Sequence, residues 1–245
     1  MQVTMTTTVR QNRWPWLMLP ARLMLFAFWQ MALVLVLLLL AAPDAWQTAA
    51  AWWPLTAVLA NLVCIGLLRA LYRQEGLRYA DIFRIQRRTV RKDLLIMLGA
   101  LILLGPVAFL PNILTATWLF GSQEAAMALF LQPLPAWGLI LATVFFPVTV
   151  ALSELPLYFA YCMPRLEARS GNRLWALLLP SLFLAVQHTT LPLLFDQRFV
   201  LWRLLMFVPF ALFLGLLLRW RSQLLPYLVV VHGLLYLAMA LLIPK

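Results

Sequence analysis

Long apolar runs separated by short polar segments make up most of the chain. The runs that are free or nearly free of charged residues lie at 23–43, 48–72, 94–120, 137–163, 174–194, 199–218 and 223–243. Each run reaches the roughly 20 residues that a helix needs to cross a bilayer, and a helix satisfies its own backbone hydrogen bonds in lipid. The pattern therefore predicts an all-α fold, a polytopic transmembrane helical bundle of about seven spans.

Two segments fit this pattern less simply. The segment 121–136, which reads GSQEAAMALFLQPLPA, is consistent with a loop, a re-entrant segment or an eighth, short helix. In the segment 73–93, apolar residues stand among many arginines. That segment is either a charged connection that fixes the topology or a helix that lies on the inner leaflet.

The composition excludes a soluble protein. Hydrophobic residues make up 64% of the chain and charged residues only 11%, whereas soluble domains carry about 25% charged residues. The net charge of +11 would suit nucleic acid, but no nucleic-acid-binding motif accompanies it, and the basic residues cluster between the spans. We therefore expect no nucleic-acid partner, and we expect the lipid bilayer to surround the protein.

The basic residues fall mainly on one side of the predicted membrane. Of the 19 Lys and Arg residues, 16 lie in the N-terminal tail up to Arg22, the loop 69–92, the segment 165–173 and the segment 219–221. Loops rich in Lys and Arg remain in the cytoplasm. We expect a cytoplasmic N-terminus, an external C-terminus and a first span that is kept rather than cleaved as a signal peptide. The expected location is the bacterial plasma membrane.

Three ionisable residues lie deep inside the spans, where an unpaired charge costs several kcal/mol. Counted at about 1.5 Å per helical residue from the flanking arginines, Glu154 and His232 lie roughly 16 Å from the basic side and His188 roughly 22 Å. No Lys or Arg is an obvious counter-ion for Glu154. We expect the three side chains to converge on one cavity, with carboxyl-to-imidazole distances under about 8 Å.

This trio has the chemistry that peptide hydrolysis needs. A carboxylate can take a proton from water, and imidazoles can donate to an oxyanion. Alternatively, Glu154, His188 and His232 could hold zinc through three protein ligands and leave a fourth position for water. A third interpretation is structural, with each side chain satisfied separately by a carbonyl, a hydroxyl or a buried water. Pro156 should kink the fourth span next to Glu154.

The stretch 154–171, ELPLYFAYCMPRLEARSG, resembles the first motif of the CPBP family of intramembrane proteases, the CAAX-protease and bacteriocin-processing group. That motif has a pair of glutamates, then an arginine, and further on a Pro-Arg-Leu-Glu helix exit. Glu154 takes the position of the first glutamate. Leu155 stands at the second glutamate and Phe159 at the arginine.

Two further stretches are similar to the family's later motifs, in the same order along the chain. LAVQH at 184–188 resembles the motif of an aromatic residue four positions before a histidine, with Leu184 in place of the aromatic residue. HGLLY at 232–236 resembles the motif of a histidine followed by Asn or Asp, with Tyr236 at the last position.

The resemblance covers 137–243 and implies a core of spans at 137–245 that carries the site, preceded by N-terminal spans at 1–136 with the basic loop 73–93. It implies an intramembrane endopeptidase that acts on a membrane-embedded or lipidated peptide or protein. Two alternatives remain open: a non-catalytic CPBP-like binding or immunity protein, and a proton-coupled transporter that uses Glu154.

The resemblance also implies a role for each site residue. Glu154 would be the general base that activates water. His188 and His232 would position the water and stabilise the oxyanion. Tyr236, one helical turn from His232, would donate its hydroxyl in place of the missing amide.

Overall fold

The computed structural model describes residues 13–244, and within them the fold is all-α. The main helices are α1 (Ala21–Leu39), α2 (Trp53–Gln74), α3 (Val90–Phe120), α4 (Ala136–Ser170), α5 (Arg173–Gln187), α6 (Gln197–Trp220) and α7 (Leu225–Ala240). Six of them are long and apolar enough to cross a membrane, α7 being counted with the turn Ser222–Leu224, whereas α5 has 15 residues. This confirms the predicted polytopic helical bundle.

Large apolar side chains cover the outer surface of the bundle. Leu95 is 71% exposed, and Ile102 and Trp118 are each 69% exposed. A soluble protein does not expose apolar surface on this scale, whereas lipid accepts it. The protein is therefore a multi-pass integral membrane protein.

The predicted span 174–194 is wrong in its second half. Helix α5 ends at Gln187, which gives it a length of about 22 Å against a hydrocarbon thickness of about 30 Å. The segment 188–196 continues without helical structure, apart from turns and an isolated bridge between Thr190 and Leu193.

Polar side chains from neighbouring helices satisfy the backbone of this non-helical segment. Arg203 in α6 donates to the carbonyl oxygens of His188 and Leu191, at 3.2 and 3.4 Å. The side chain of Gln30 in α1 donates to the Leu193 carbonyl and accepts from its amide, at 2.9 and 2.8 Å. Irregular backbone at membrane depth is tolerated where protein groups satisfy it in this way. A long apolar run could not reveal these partners.

Pro156 interrupts α4 as expected, and the helix continues to Ser170 through a π-helical segment, Pro156–Cys162. Proline has no N–H, so the carbonyl of Leu152 loses its usual helical donor. The hydroxyl of Tyr79 donates to that carbonyl instead. Burial raises the pKa of the Tyr79 phenol well above its ordinary value, so the hydroxyl keeps its proton.

The loop 73–93 folds onto the bundle and does not form a surface helix. Helix α2 extends to Gln74, a short 3-10 helix occupies Tyr79–Phe83, and α3 starts at Val90. Tyr79 contacts the ring of Tyr72 at 5.7 Å between centroids. Tyr79, Ile82 and Phe83 therefore pack on the helices, while Ile85 and the arginines of this loop remain exposed.

The segment 121–136 is a partly buried connection and not an eighth span. It contains a helix of five residues, Gln123–Met127. The indole of Trp53 donates to the carbonyl of Phe130 at 2.7 Å, and the amide of Leu134 donates to the carbonyl of Pro244 at 3.2 Å. The connection therefore closes over the end of the bundle that is opposite the basic loops.

Helix α6 approaches α4 and α5 closely at Gly215. A Cβ atom on this residue would lie 2.8 Å from atoms of Leu177 and Ser181 and 2.9 Å from the ring of Phe159. Real Cβ atoms do not make such short contacts, so a larger residue here would displace these side chains, and glycine allows the helices to pack this closely. At Gly215, α6 therefore packs directly against α4 and α5, which are two of the helices that carry the candidate site.

Candidate active site

Glu154 lies at the centre of the bundle and is 1% exposed. Its Oε1 atom accepts a hydrogen bond from Nε2 of His232 in α7, at 2.8 Å. His232 is also buried, and its ring lies edge-on to Tyr236 with 4.8 Å between centroids. A carboxylate and an imidazole from two helices therefore form one hydrogen-bonded pair.

The second carboxylate oxygen of Glu154 has partners from two more helices. Oε2 accepts from Nη2 of Arg22 in α1 at 3.0 Å and from Nε2 of Gln187 in α5 at 2.7 Å. Nε2 of His188 lies 3.8 Å from the same oxygen. The three residues singled out from the sequence thus lie together, within the distance of 8 Å or so expected for a shared site.

Arg22 is the counter-ion of Glu154, so the expectation that Glu154 has no basic partner is wrong. Its guanidinium is fully buried and also donates to side-chain oxygens of Asn61, Ser153 and Gln187. The sequence pattern placed Arg22 in the basic tail because it stands at the second residue of α1. The pattern gives no sign that its long side chain turns into the bundle.

Weaker signals in the sequence pointed to this cluster. Asn61 and Gln187 are amides inside apolar runs, and Gln187 is the neighbour of His188. Buried amides require partners, and here both bind Arg22. Sequence reasoning that weighs only ionisable residues in spans misses them.

His188 is held in a defined tautomer. Its Nδ1 lies 2.7 Å from the carbonyl oxygen of Leu184, which can only accept, so Nδ1 carries the proton. Nε2 is then free to accept from the hydroxyl of Tyr236 at 3.1 Å. The ring of Phe207 stacks on the imidazole at 3.5 Å between centroids. Tyr236 therefore binds His188 with its hydroxyl and contacts His232 with its ring.

The arrangement does not fit zinc. Nε2 of His232 donates to Glu154, and Nε2 of His188 accepts from Tyr236, so the two nitrogens are engaged with protein partners and not with a common centre. The guanidinium of Arg22 lies on the same carboxylate and would repel a cation. Within residues 13–244, no group of three or more His, Cys, Asp and Glu side chains is placed to hold a metal ion.

The cluster is buried inside the bundle, with Glu154 and His188 each 1% exposed and His232 4% exposed. One apolar crevice touches His232 and is walled by residues such as Leu104, Phe210 and Leu228, but its free volume is about 0 Å³. Water is a reactant in hydrolysis, so the site must open before it can act in that way. The helices that carry the partners of Glu154, α1, α5 and α7, are the elements whose movement would expose it.

In this cluster, the imidazole of His232 donates to Oε1 of the buried Glu154 carboxylate, and the guanidinium of Arg22 donates to Oε2. The imidazole of His188 lies within 4 Å of Oε2. These groups can accept a proton, donate hydrogen bonds to a developing negative charge and exclude bulk water. Comparisons of the chain with models of known families, with curated proteins and with solved structures give no match.

Proposed function

We propose that this protein is an intramembrane endopeptidase of the CPBP, or CAAX-protease, type. The observation that carries the proposal is the hydrogen bond of 2.8 Å between Glu154 Oε1 and His232 Nε2, deep in a membrane bundle and beside a second histidine. Ionisable residues at this depth are costly and mark functional sites. The order of the three motif-like stretches supports the same assignment.

In the proposed reaction, Glu154 accepts a proton from a water molecule while the water oxygen attacks the carbonyl carbon of the scissile peptide bond. On binding of the substrate, the N–H of His232 and the hydroxyl of Tyr236, which now bind Glu154 and His188, become the donors that stabilise the oxyanion. Glu154 then gives the proton to the leaving nitrogen as the C–N bond breaks. Arg22 compensates the charge of the carboxylate and fixes its orientation without touching the substrate.

The substrate in this proposal is a membrane-embedded or lipidated peptide or protein, and the enzyme acts in the bacterial plasma membrane. The substrate class follows from the position of the cluster inside the bundle, because a substrate must reach it through the membrane or from the membrane surface. Binding of the substrate would displace part of the packing around Glu154 and admit water.

Cleavage of a library of membrane peptides by purified protein in liposomes tests the proposal. Glu154→Gln removes the base and nearly preserves the side-chain shape, so cleavage should fall by at least about a hundredfold. Glu124→Gln, at an exposed carboxylate far from the cluster, should cleave like the parent. A metal chelator should leave the parent's rate unchanged, because the cluster does not fit zinc. A Glu154→Gln variant that is as active as the parent would refute the proposal.

A second candidate is a non-catalytic binding protein of the same architecture. The observation that favours it is the complete pairing of Glu154, whose two oxygens already have three donors. In that case neither the parent nor Glu154→Gln cleaves any peptide of the library. Co-purification of a membrane peptide with both proteins would then support binding without hydrolysis.

A further inference from the structure

A second cavity, separate from the Glu154 cluster, opens at the basic end of the bundle. Its volume is about 630 Å³, which is in the range of small-molecule sites. It lies between the loop that follows α2 and the ends of α4, α6 and α7 that carry the basic residues. Glu154, His188, His232 and Arg22 are not among its lining residues.

The floor of this cavity is apolar. It includes Phe159 and Met163 from the π-helical part of α4 and the turn that follows, and Leu225 from the start of α7. These three side chains lie deep in the floor, with only 4 to 6% of their surface exposed, and the partly exposed Ile82, Ala160 and Pro164 supply its apolar surface. A ligand that fills the cavity must therefore bring an apolar portion of its own.

The wall of the cavity is charged, and nearly all of its charges are paired. Each of its acidic residues has an arginine partner, in the pairs Glu75–Arg165, Asp81–Arg84 and Glu167–Arg219. Arg78 is the remaining arginine of the wall. Among the residues that the structure describes, no carboxylate lies within ion-pair distance of it. The cavity therefore carries one uncompensated positive charge.

We propose that this cavity binds a monoanionic amphiphile. Its single negative charge pairs with Arg78, and its hydrocarbon portion lies along Ile82, Ala160 and Pro164. A fatty-acid carboxylate and the phosphodiester of a phospholipid have this chemistry in common. The basic end is the end that the positive-inside rule assigns to the cytoplasm, where anionic lipids are concentrated. The site is independent of the proposed peptidase activity.

Native mass spectrometry of the purified full chain in a neutral detergent measures this binding. Separate titrations use oleate, dioleoyl phosphatidylglycerol, dioleoyl phosphatidylcholine and the uncharged oleyl alcohol. We expect binding of at least one of the two monoanionic compounds and much weaker binding of the zwitterionic and uncharged ones. Tighter binding of oleate identifies a free fatty acid as the ligand, and tighter binding of phosphatidylglycerol identifies a phospholipid.

Three variants separate the cavity from general attraction to the basic loop. Arg78→Gln should weaken binding about fivefold, the scale of one partly exposed charge pair. Arg88→Gln, an exposed arginine of the same loop outside the cavity, should change it less than about twofold. Ser222→Trp fills the cavity from an exposed position and should abolish binding of the amphiphile. Equal losses in Arg78→Gln and Arg88→Gln, full binding by Ser222→Trp, or equal binding of oleyl alcohol would overturn the proposal.

Discussion

At the scale of single residues, the pair of Arg22 and Glu154 has the largest energetic consequence. Both side chains are buried, at 0 and 1% exposure. Moving either charge alone into a nonpolar interior would cost several kcal/mol, and only the paired and hydrogen-bonded arrangement offsets this cost. Asn61, Ser153 and Gln187 complete the arrangement, because the guanidinium has more donors than one carboxylate can accept.

Removal of one partner should therefore destabilise the protein more than removal of both. Arg22→Met should lower the free energy of unfolding by about 3–5 kcal/mol, because it leaves a buried charge unpaired. Adding Glu154→Gln to Arg22→Met should restore part of that loss. Arg13→Met, at an exposed position, should change the free energy of unfolding by less than about 0.5 kcal/mol. Denaturation in mixed micelles measures these values, and simple additivity of the two losses would contradict the pairing.

The sequence alone predicted the residues whose chemistry contrasts with their surroundings. Glu154, His188 and His232 stand out because each is ionisable within an apolar run. Arg22 could not be identified, because an arginine at a helix end usually extends to the membrane surface. The direction of its side chain depends on Asn61 and other partners, which are distant in sequence.

At the scale of helices, apolar length predicted which segments span the bundle, but side-chain contacts decided where the regular helix stops. Helix α5 ends at Gln187 because Arg203 and Gln30 satisfy the backbone that follows. Helix α4 continues past Pro156 because the Tyr79 hydroxyl replaces a missing donor. Hydropathy contains no information about such tertiary hydrogen bonds, so the sequence predicted a fourth span that passes Pro156 with a kink but did not predict the early end of α5.

The close contact of α6 with α4 and α5 yields a prediction with a matched control. Gly215→Ala places a methyl group 2.8 to 2.9 Å from three side chains and should destabilise the protein by about 1–3 kcal/mol. Gly66→Ala, in α2, meets nothing within 4 Å and should be neutral or stabilise it by up to about 1 kcal/mol. Thermal unfolding of both variants in detergent compares them. A Gly215→Ala protein as stable as Gly66→Ala would show that the helices are not packed this closely.

At the scale of the whole molecule, α5 and the segment 188–196 together connect the basic end of the bundle, where α4 ends, to the opposite end, where α6 begins, and we expect them to form one membrane crossing. The amide of Leu134 binds the carbonyl of Pro244, so the end of α7 lies beside the connection between α3 and α4. Arg221 pairs with Asp93 at the other end of the bundle. Basic residues remain in excess at that end even when the buried Arg22 is not counted.

These positions predict the topology of the chain. Reporter fusions in the loop 84–88 should be cytoplasmic, and fusions in the connection 121–125 and after the C-terminal residue should be external. The C-terminal fusion is the informative one, because its side depends on whether α5 and 188–196 cross the membrane. If the C-terminus were cytoplasmic while the connection 121–125 was external, α5 and the segment 188–196 would not form a membrane crossing.

The central claim is that Glu154 and His232 act as one catalytic unit, and the cleavage rates of single and double variants test it most directly. Groups that act together show losses that do not multiply. With a peptide that the parent protein cleaves, Glu154→Gln and His232→Gln should each reduce the rate by at least about a hundredfold. The double variant should be no slower than the slower single variant. Parent-like cleavage by Glu154→Gln, or a double variant whose loss is the product of the two single losses, would contradict the account.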